Sequence, residues 1–402
     1  MKLKVEYLQR LNIYFMLSMF VPFVFILGGI VLHFSKKTKL LVSFIFKIVP
    51  FLFLLLLLLF IAIYRGNESI LIIHHMRDYI IFITVAFYLT VLCQNDSRGT
   101  FIAYNSIKQM YIFMAFIKII ILFYAYTFSI PMGDLLDTIS DNTGIPMMQT
   151  NTLNDYIFRL QFPIDPVIPF LLYFLIKELN SGSNKKIALM QFSLLTLSLI
   201  LTMSRAFWLV GFLLVFIAFY KEFNLSKKLK VVVTSSILAV VLLFTTNMYQ
   251  YLEDIIGSRI GGEAADANYY SDLERNIQTN AILKAFYENP VLGKGLGYYI
   301  PGVIRDEDDK YLYESQTLSF LMDFGIILFL VFLILVLFNV IKNNYHHRYD
   351  VFMAFIFFAI WLFFGSVNPL LFGMTGGLVI FFALNASELN NLFSNRKHMS
   401  GL

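Results

Sequence analysis

Apolar runs long enough to cross a bilayer recur along the whole chain, separated by short clusters of polar and charged residues. A transmembrane helix takes about 20 consecutive apolar residues. Stretches of that kind predict spans near 11–33, 40–64, 78–94, 109–130, 166–180, 187–203, 206–221, 229–248, 315–341, 351–367 and 369–387. The pattern predicts an all-α polytopic membrane protein, a helical bundle of 11 or 12 transmembrane helices forming a single integral membrane domain over residues 1–402. Two interruptions are too long and too polar to be tight turns, one at 131–165 and a larger one at 249–313. The larger opens with Gly257, Gly261 and Gly262, which suit irregular backbone, and residues 270–287 then predict a surface helix that Asn289-Pro290 ends. Such a helix would lie over the mouth of the bundle. No heptad, solenoid period or Pro-rich linker appears, and the Leu-rich stretch at 53–60 is what a membrane segment requires.

Composition sharpens this picture. Of the 402 residues, 58% are hydrophobic and 14% charged, which excludes a soluble globular chain, where charge is nearer about 25%. The single cysteine, Cys93, excludes an intramolecular disulfide and the paired thiolates of a structural zinc site. A net charge of +5 would suggest nucleic acid as the partner of a soluble protein. Here the bases sit in clusters between apolar runs and act as topology signals, so the partner is the lipid bilayer. Lys177, Lys185 and Lys186, then Lys221, Lys227, Lys228 and Lys230, then Lys342 and Arg348, then Arg396 and Lys397 alternate with the acidic loops. The positive-inside rule puts these clusters in the cytoplasm, with the C-terminus. The loop at 131–165 carries five acids (Asp134, Asp137, Asp141, Asp155, Asp165) against Arg159, and the loop at 249–313 carries eleven acids against six bases. Both loops and the short Ser204-Arg205 turn are therefore expected on the outer face. Lys2, Lys4 and Arg10 balance Lys36, Lys37 and Lys39 across the first span, so 11 spans put the N-terminus outside and a twelfth before residue 130 puts it inside. Residues 11–33 form too long an apolar run for a cleaved signal peptide, and no small-residue cleavage site follows.

Ionisable groups in or beside spans are costly and point to function. Arg205 stands where two apolar runs meet almost without a loop, in Leu201-Thr202-Met203-Ser204-Arg205-Ala206-Phe207-Trp208. It either snorkels to the lipid headgroups or uses its planar, permanently charged fork to grip a lipid pyrophosphate. Arg275 lies on the predicted loop helix beside Glu274, where a solvated ion pair is the plain alternative. Downstream, Asn289-Pro290-Val291-Leu292-Gly293-Lys294-Gly295-Leu296-Gly297-Tyr298 places three alternate glycines that let backbone pack against another element or wrap a ligand. It is no P-loop, because no Ser or Thr follows Gly293-Lys294. Glu314, at the outer edge of the next span and close in sequence to Tyr311 and Tyr313, is placed to take a proton from a hydroxyl, or to act as an acid at a helix N-terminus. Asp323 follows about 13 Å deeper at a helical rise of ~1.5 Å per residue and needs a partner there. His74-His75 and His346-His347 lack metal-ligand spacing. The acidic run at 306–309 is no EF-hand and is expected to be a solvated face. Gly373, Gly376 and Gly377 suggest close helix packing. Lys47 and Lys118 are near enough to span ends to snorkel, and Arg159 is a further substrate-loop candidate.

The order Ser204-Arg205-Ala206-Phe207-Trp208, then Arg275, then Pro290-Val291-Leu292-Gly293-Lys294-Gly295-Leu296-Gly297, then Glu314 with Leu318, Leu321, Asp323 and Gly325 resembles the bacterial O-antigen polymerase and O-antigen ligase superfamily over roughly residues 190–340. That resemblance implies a GT-C type membrane glycosyltransferase in the bacterial cytoplasmic (inner) membrane, acting at its outer face in polysaccharide or lipopolysaccharide biosynthesis. It implies undecaprenyl-pyrophosphate-linked oligosaccharides as donor and acceptor, no metal and no other cofactor, and a chain-length regulator as a candidate partner. By position, Arg205 and Arg275 would match the arginines that hold the donor's pyrophosphate, Gly293, Gly295 and Gly297 a substrate loop, and Glu314 the place where ligases carry a catalytic His. The Glu favours the polymerase branch, with the ligase as the near alternative. An exporter of the lipid-linked unit is disfavoured, since no pair of matching halves is evident.

Overall fold

The computed structural model describes residues 38–95, 97–143, 160–181, 184–224, 262–305 and 307–399. The predicted spans near 11–33 and 229–248, Arg159, Gly257 and Gly261 lie outside the described residues. Among the described residues there are twelve α-helices, one 3-10 turn and no strand. They are α1 (Thr38–Tyr64), α2 (Ser69–Asn95), α3 (Ser97–Phe128), α4 (Met132–Thr143), α5 (Ile168–Ser181), α6 (Lys185–Leu201), α7 (Arg205–Glu222), α8 (Gly262–Glu288), α9 (Gln316–Asn344), α10 (Arg348–Val367), α11 (Gly373–Leu384) and α12 (Ala386–Met399). Thr38–Tyr64, Ser69–Gln94, Gly99–Phe128, Gln316–Asn344 and Arg348–Val367 are each long and apolar enough to cross a membrane. The chain is an all-α, multi-pass membrane protein. It divides into two compact units, one made of α1, α2, the start of α3 up to Phe113 and Ile277–Met399, the other of Met114–Asn276.

In the first unit, α1 shows how a lipid-facing helix is written. Phe51, Leu54, Leu58 and Ala62 recur at helical spacing and are buried, while Phe46, Phe53 and Phe60 stay exposed on the other side. α11 lies along α2, and a Cβ on Gly377 would come 2.9 Å from the Phe82 carbonyl oxygen and 3.0 Å from Val85 Cβ, so the bare glycine sets that approach. Tyr79, Phe82, Phe320, Phe324, Phe332, Trp361 and Phe372 form the aromatic centre, with the Tyr79 and Phe372 rings 4.0 Å apart. At the end of α9, buried Asn344 Nδ2 donates to Ala383 O (2.9 Å) and its Oδ1 accepts from Ser387 N (2.8 Å). The apolar run at 369–387 resolves into α11 and α12, divided at Asn385, whose Nδ2 donates to Thr90 Oγ1 at 2.8 Å.

In the second unit, α5 is buried on every side from Ile168 to Lys177, with α6 and α7 against it. Its 14 residues extend only about 21 Å at ~1.5 Å per residue, short of the ~30 Å hydrocarbon core. Its all-round hydrophobicity thus answers to protein packing. α7 has two faces, with Phe207, Val210, Leu214 and Ala218 inside and Leu209, Phe212, Phe216 and Tyr220 exposed.

Candidate active site

Glu314 belongs to the first unit, on the segment that joins α8 to α9. The helix predicted over 270–287 runs over Gly262–Glu288 and stops where Pro290 would remove a backbone donor. The glycines that follow then meet a break in α9. Gly325 has φ 64° and ψ 171° inside an otherwise helical run. A break in an apolar helix frees backbone groups that lipid cannot satisfy. Here the residues after α8 satisfy them. Lys294 N donates to Met322 O (3.0 Å) and Gly295 N to Asp323 O (2.9 Å), while Ile326 N donates to Pro290 O (2.8 Å). Gly293, Gly295 and Gly297 all have positive φ (72°, 80° and 70°). A Cβ on Gly293 would collide with the Asp323 carbonyl and the Gly325 amide, one on Gly295 with the Ala62 backbone of α1, and one on Gly297 with Leu71 and Ile72 of α2. Each of these glycines is thus in close backbone packing. Asp323 is buried at the break, and its carboxylate Oδ1 has no hydrogen-bond partner among the described residues.

The rest of the segment docks on the first turns of α2. Asn67 Nδ2 donates to the carbonyls of Lys294 (3.0 Å) and Leu296 (2.9 Å). Gly297 N donates to His75 Nδ1 (3.1 Å), which puts the ring proton on Nε2. The His75 ring stacks on Tyr311 at 4.2 Å. Tyr311 OH donates to Asp78 Oδ2 (2.9 Å), and His74 Nδ1 meets Asp309 Oδ1 at 2.8 Å. Burial, with the Asp78 carboxylate beside it, pushes the Tyr311 phenol up, so it remains a donor at neutral pH. Burial likewise raises Tyr313, whose oxygen accepts from Ile300 N at 2.7 Å. α2 begins at Ser69, well before the span predicted near 78–94, because its polar first turns are a docking surface for this segment. Asp309, from the run expected to be solvated, is part of that dock. Tyr313 also anchors a small apolar cluster with Ile282, Ala285 and Met322.

Glu314 sits at the end of this braced segment. It precedes the Ser315 N-cap and lies outside the first turn of α9. Its amide donates to Gln278 Oε1 (3.2 Å), and its carboxylate Oε1 lies 3.7 Å from Arg305 Nη2, with the two side chains 22% and 34% exposed. Arg305 and Gln278 are neighbours that sequence reasoning did not single out. A carboxylate held by its main chain, reachable from solvent and facing a guanidinium, can accept a proton from a hydroxyl. Among the described residues no group of His, Cys, Asp or Glu is arranged to hold a metal ion.

The two arginines lie in the second unit. Arg205 is the first residue of α7 and is exposed, on a turn in which Met203 adopts φ 49°, a conformation that costs a non-glycine residue. Ser204, the N-cap, is buried, and Ser204 N donates to Thr202 Oγ1 (3.3 Å). Trp208, one turn into α7, donates from Nε1 back to Leu199 O (2.9 Å), which explains the Trp in this motif. Arg275 is exposed on α8. Lys118 does not snorkel. It is fully buried, with Nζ 2.7 Å from Asp165 Oδ2.

No curated protein and no solved structure gives a significant match to the chain. The O-antigen ligase family model matches residues 191–333, from α6 into α9, a stretch that contains Arg205, Arg275, the glycine segment and Glu314. Residues 191–333 thus carry an O-antigen ligase family domain, in a chain whose other residues are not covered by that match.

Proposed function

We propose that the protein is a polysaccharide polymerase that transfers a growing undecaprenyl-pyrophosphate-linked glycan onto a lipid-linked repeat unit at the outer face of the bacterial cytoplasmic membrane. The acceptor hydroxyl gives its proton to Glu314 as its oxygen bonds to the donor's anomeric carbon. The bond from that carbon to the pyrophosphate oxygen breaks, and undecaprenyl pyrophosphate leaves with the electron pair. A direct displacement of this kind inverts the anomeric configuration. Arg205 and Arg275 hold the pyrophosphate as its charge rises, and fixed guanidinium groups supply that stabilisation without proton transfer. The observation that carries the reading is the carboxylate at 314, at the position where the resemblance implies a His in ligases, within a matched stretch that also contains both arginines in order.

A ligase that moves a finished chain onto another acceptor is the second reading, favoured by the description of the matching family itself. Purified protein in nanodiscs, given a lipid-linked repeat unit with EDTA present, separates the two. A ladder of lengthened, lipid-linked chains supports the polymerase. Single transfer to a core oligosaccharide acceptor, with no ladder, supports the ligase.

A further inference from the structure

The last four carbonyls of an α-helix have no partner within it, and α6 ends at Leu201, four residues before Arg205. Each of its four carbonyls is accounted for. Leu201 O accepts from Leu160 N (2.9 Å), and Ile200 O from Met203 N (3.1 Å). Leu199 O accepts from Thr202 Oγ1 (2.7 Å) and Trp208 Nε1 (2.9 Å). Ser198 O accepts from Lys118 Nζ at 3.3 Å. Lys118 comes from α3, and the same ammonium reaches Asp165 Oδ2 at 2.7 Å. That carboxylate oxygen also accepts from Phe162 N at 2.7 Å, two residues from Leu160. One buried ion pair thereby touches both strands of chain that close the end of α6: Ser198 directly, and residues 160–162 through Asp165. The side chains are 0% and 2% exposed.

A fully desolvated ion pair is a poor way to gain stability, since apolar residues of similar volume often do as well or better. What it supplies here is direction, because an ammonium with two fixed acceptors holds a helix end in one register. We propose that the pair of Lys118 and Asp165 positions Arg205 by locking the end of α6, so that the guanidinium is presented in one orientation to the phosphate groups of a lipid-linked donor. This rests on the reading of Arg205 as a pyrophosphate ligand. Neither Lys118 nor Asp165 touches substrate, so both are positioning residues.

The test uses the full chain in nanodiscs with polyprenyl pyrophosphate as the probe. Wild type, Lys118→Met/Asp165→Leu, Arg205→Ala and the triple variant are compared by thermal melting and by the Kd of the probe. The double variant is expected to melt at or above the wild-type temperature and to bind the probe at least tenfold more weakly, and the triple variant to bind no worse than Arg205→Ala alone. Trp208→Phe, which removes one donor from the same helix end, is expected to weaken the probe about threefold, and it carries the comparison if the double variant fails to fold. Wild-type binding by the double variant, or by Trp208→Phe where the double variant does not fold, alongside weakened binding in Arg205→Ala, overturns the positioning role and leaves the phosphate reading standing. Unchanged binding in Arg205→Ala overturns the phosphate reading, and the positioning role falls with it.

Discussion

Arg205 and Glu314 are carried by supports that differ in where backbone pairing is indispensable. The turn that bears Arg205 adds side-chain donors to its backbone bonds, with Lys118, Thr202 and Trp208 reaching carbonyls at the end of α6. The segment that leads to Glu314 starts from backbone pairing, with residues 290–295 and 322–327 exchanging amide hydrogen bonds across a helix break, before side chains of α2 dock the rest. Side-chain bracing needs particular donors and leaves room for side chains at every position of the turn, Met203 at φ 49° included. Backbone bracing needs segments so close that only glycine fits, as at Gly293 and Gly325, where an added Cβ would collide with the facing main chain. The two regions should therefore fail differently under mutation.

The largest effects are expected at the charged groups themselves. Glu314→Gln should lower chain elongation by about 10²–10⁴-fold, and Arg205→Ala by about 10²–10³-fold, each measured as product length against time with thermal melting unchanged. Next come the backbone contacts. Gly325→Ala and Gly293→Ala combine about 1–3 kcal/mol of conformational strain with a main-chain collision, and should show as a lost or strongly lowered melting transition. Gly302→Ala is the control, since Gly302 has φ 84° but nothing within 4 Å of a new Cβ; strain alone should lower its melting temperature only slightly. Equal losses at Gly302 and Gly293 would mean that close packing is not what the glycines provide.

Tyr311→Phe removes one hydrogen bond to the Asp78 carboxylate and should destabilise by about 1–2 kcal/mol, read from the midpoint of denaturant unfolding in detergent. Arg305→Ala breaks a partly exposed pair at 3.7 Å, for which a stability change of about 0–1 kcal/mol is expected. A large loss of elongation in that variant with melting unchanged would add Arg305 to the groups that serve Glu314. The smallest effect concerns Glu288, whose carboxyl Lys294 holds below its ordinary range through a hydrogen bond and its charge. A depressed folded-state pKa contributes stability above the ordinary Glu value and loses it as pH falls through the folded value. Lys294→Met should flatten that acid-side decline in melting temperature, and only slightly, because Glu288 itself is exposed.

Run length and helical spacing made the helices legible. The predicted spans near 40–64, 315–341 and 351–367 correspond to α1, α9 and α10 within a few residues. What local pattern could not supply was long-range pairing. His74, His75 and Arg77 precede the span predicted near 78–94 and Asp78 stands at its edge, yet His74, His75 and Asp78 find their partners at Asp309, Gly297 and Tyr311, more than 200 residues away. Lys118 near the end of a span looks free to reach water, and only the fold brings Asp165 to it. The break at Gly325 is hidden for the same reason, since its sequence continues an apolar helix and its cause is the backbone of residues 290–295. Arg205 and Glu314 stood out because each is a charge at the edge of an apolar run. Gln278 and Arg305, which flank Glu314 in the fold, gave no such signal.

The most direct test compares the wild type with Glu314→Gln, expressed and folded equally, on a lipid-linked repeat unit with EDTA present. The account predicts a ladder of lengthened chains from the wild type and none from the variant; a ladder of equal length from Glu314→Gln would contradict it.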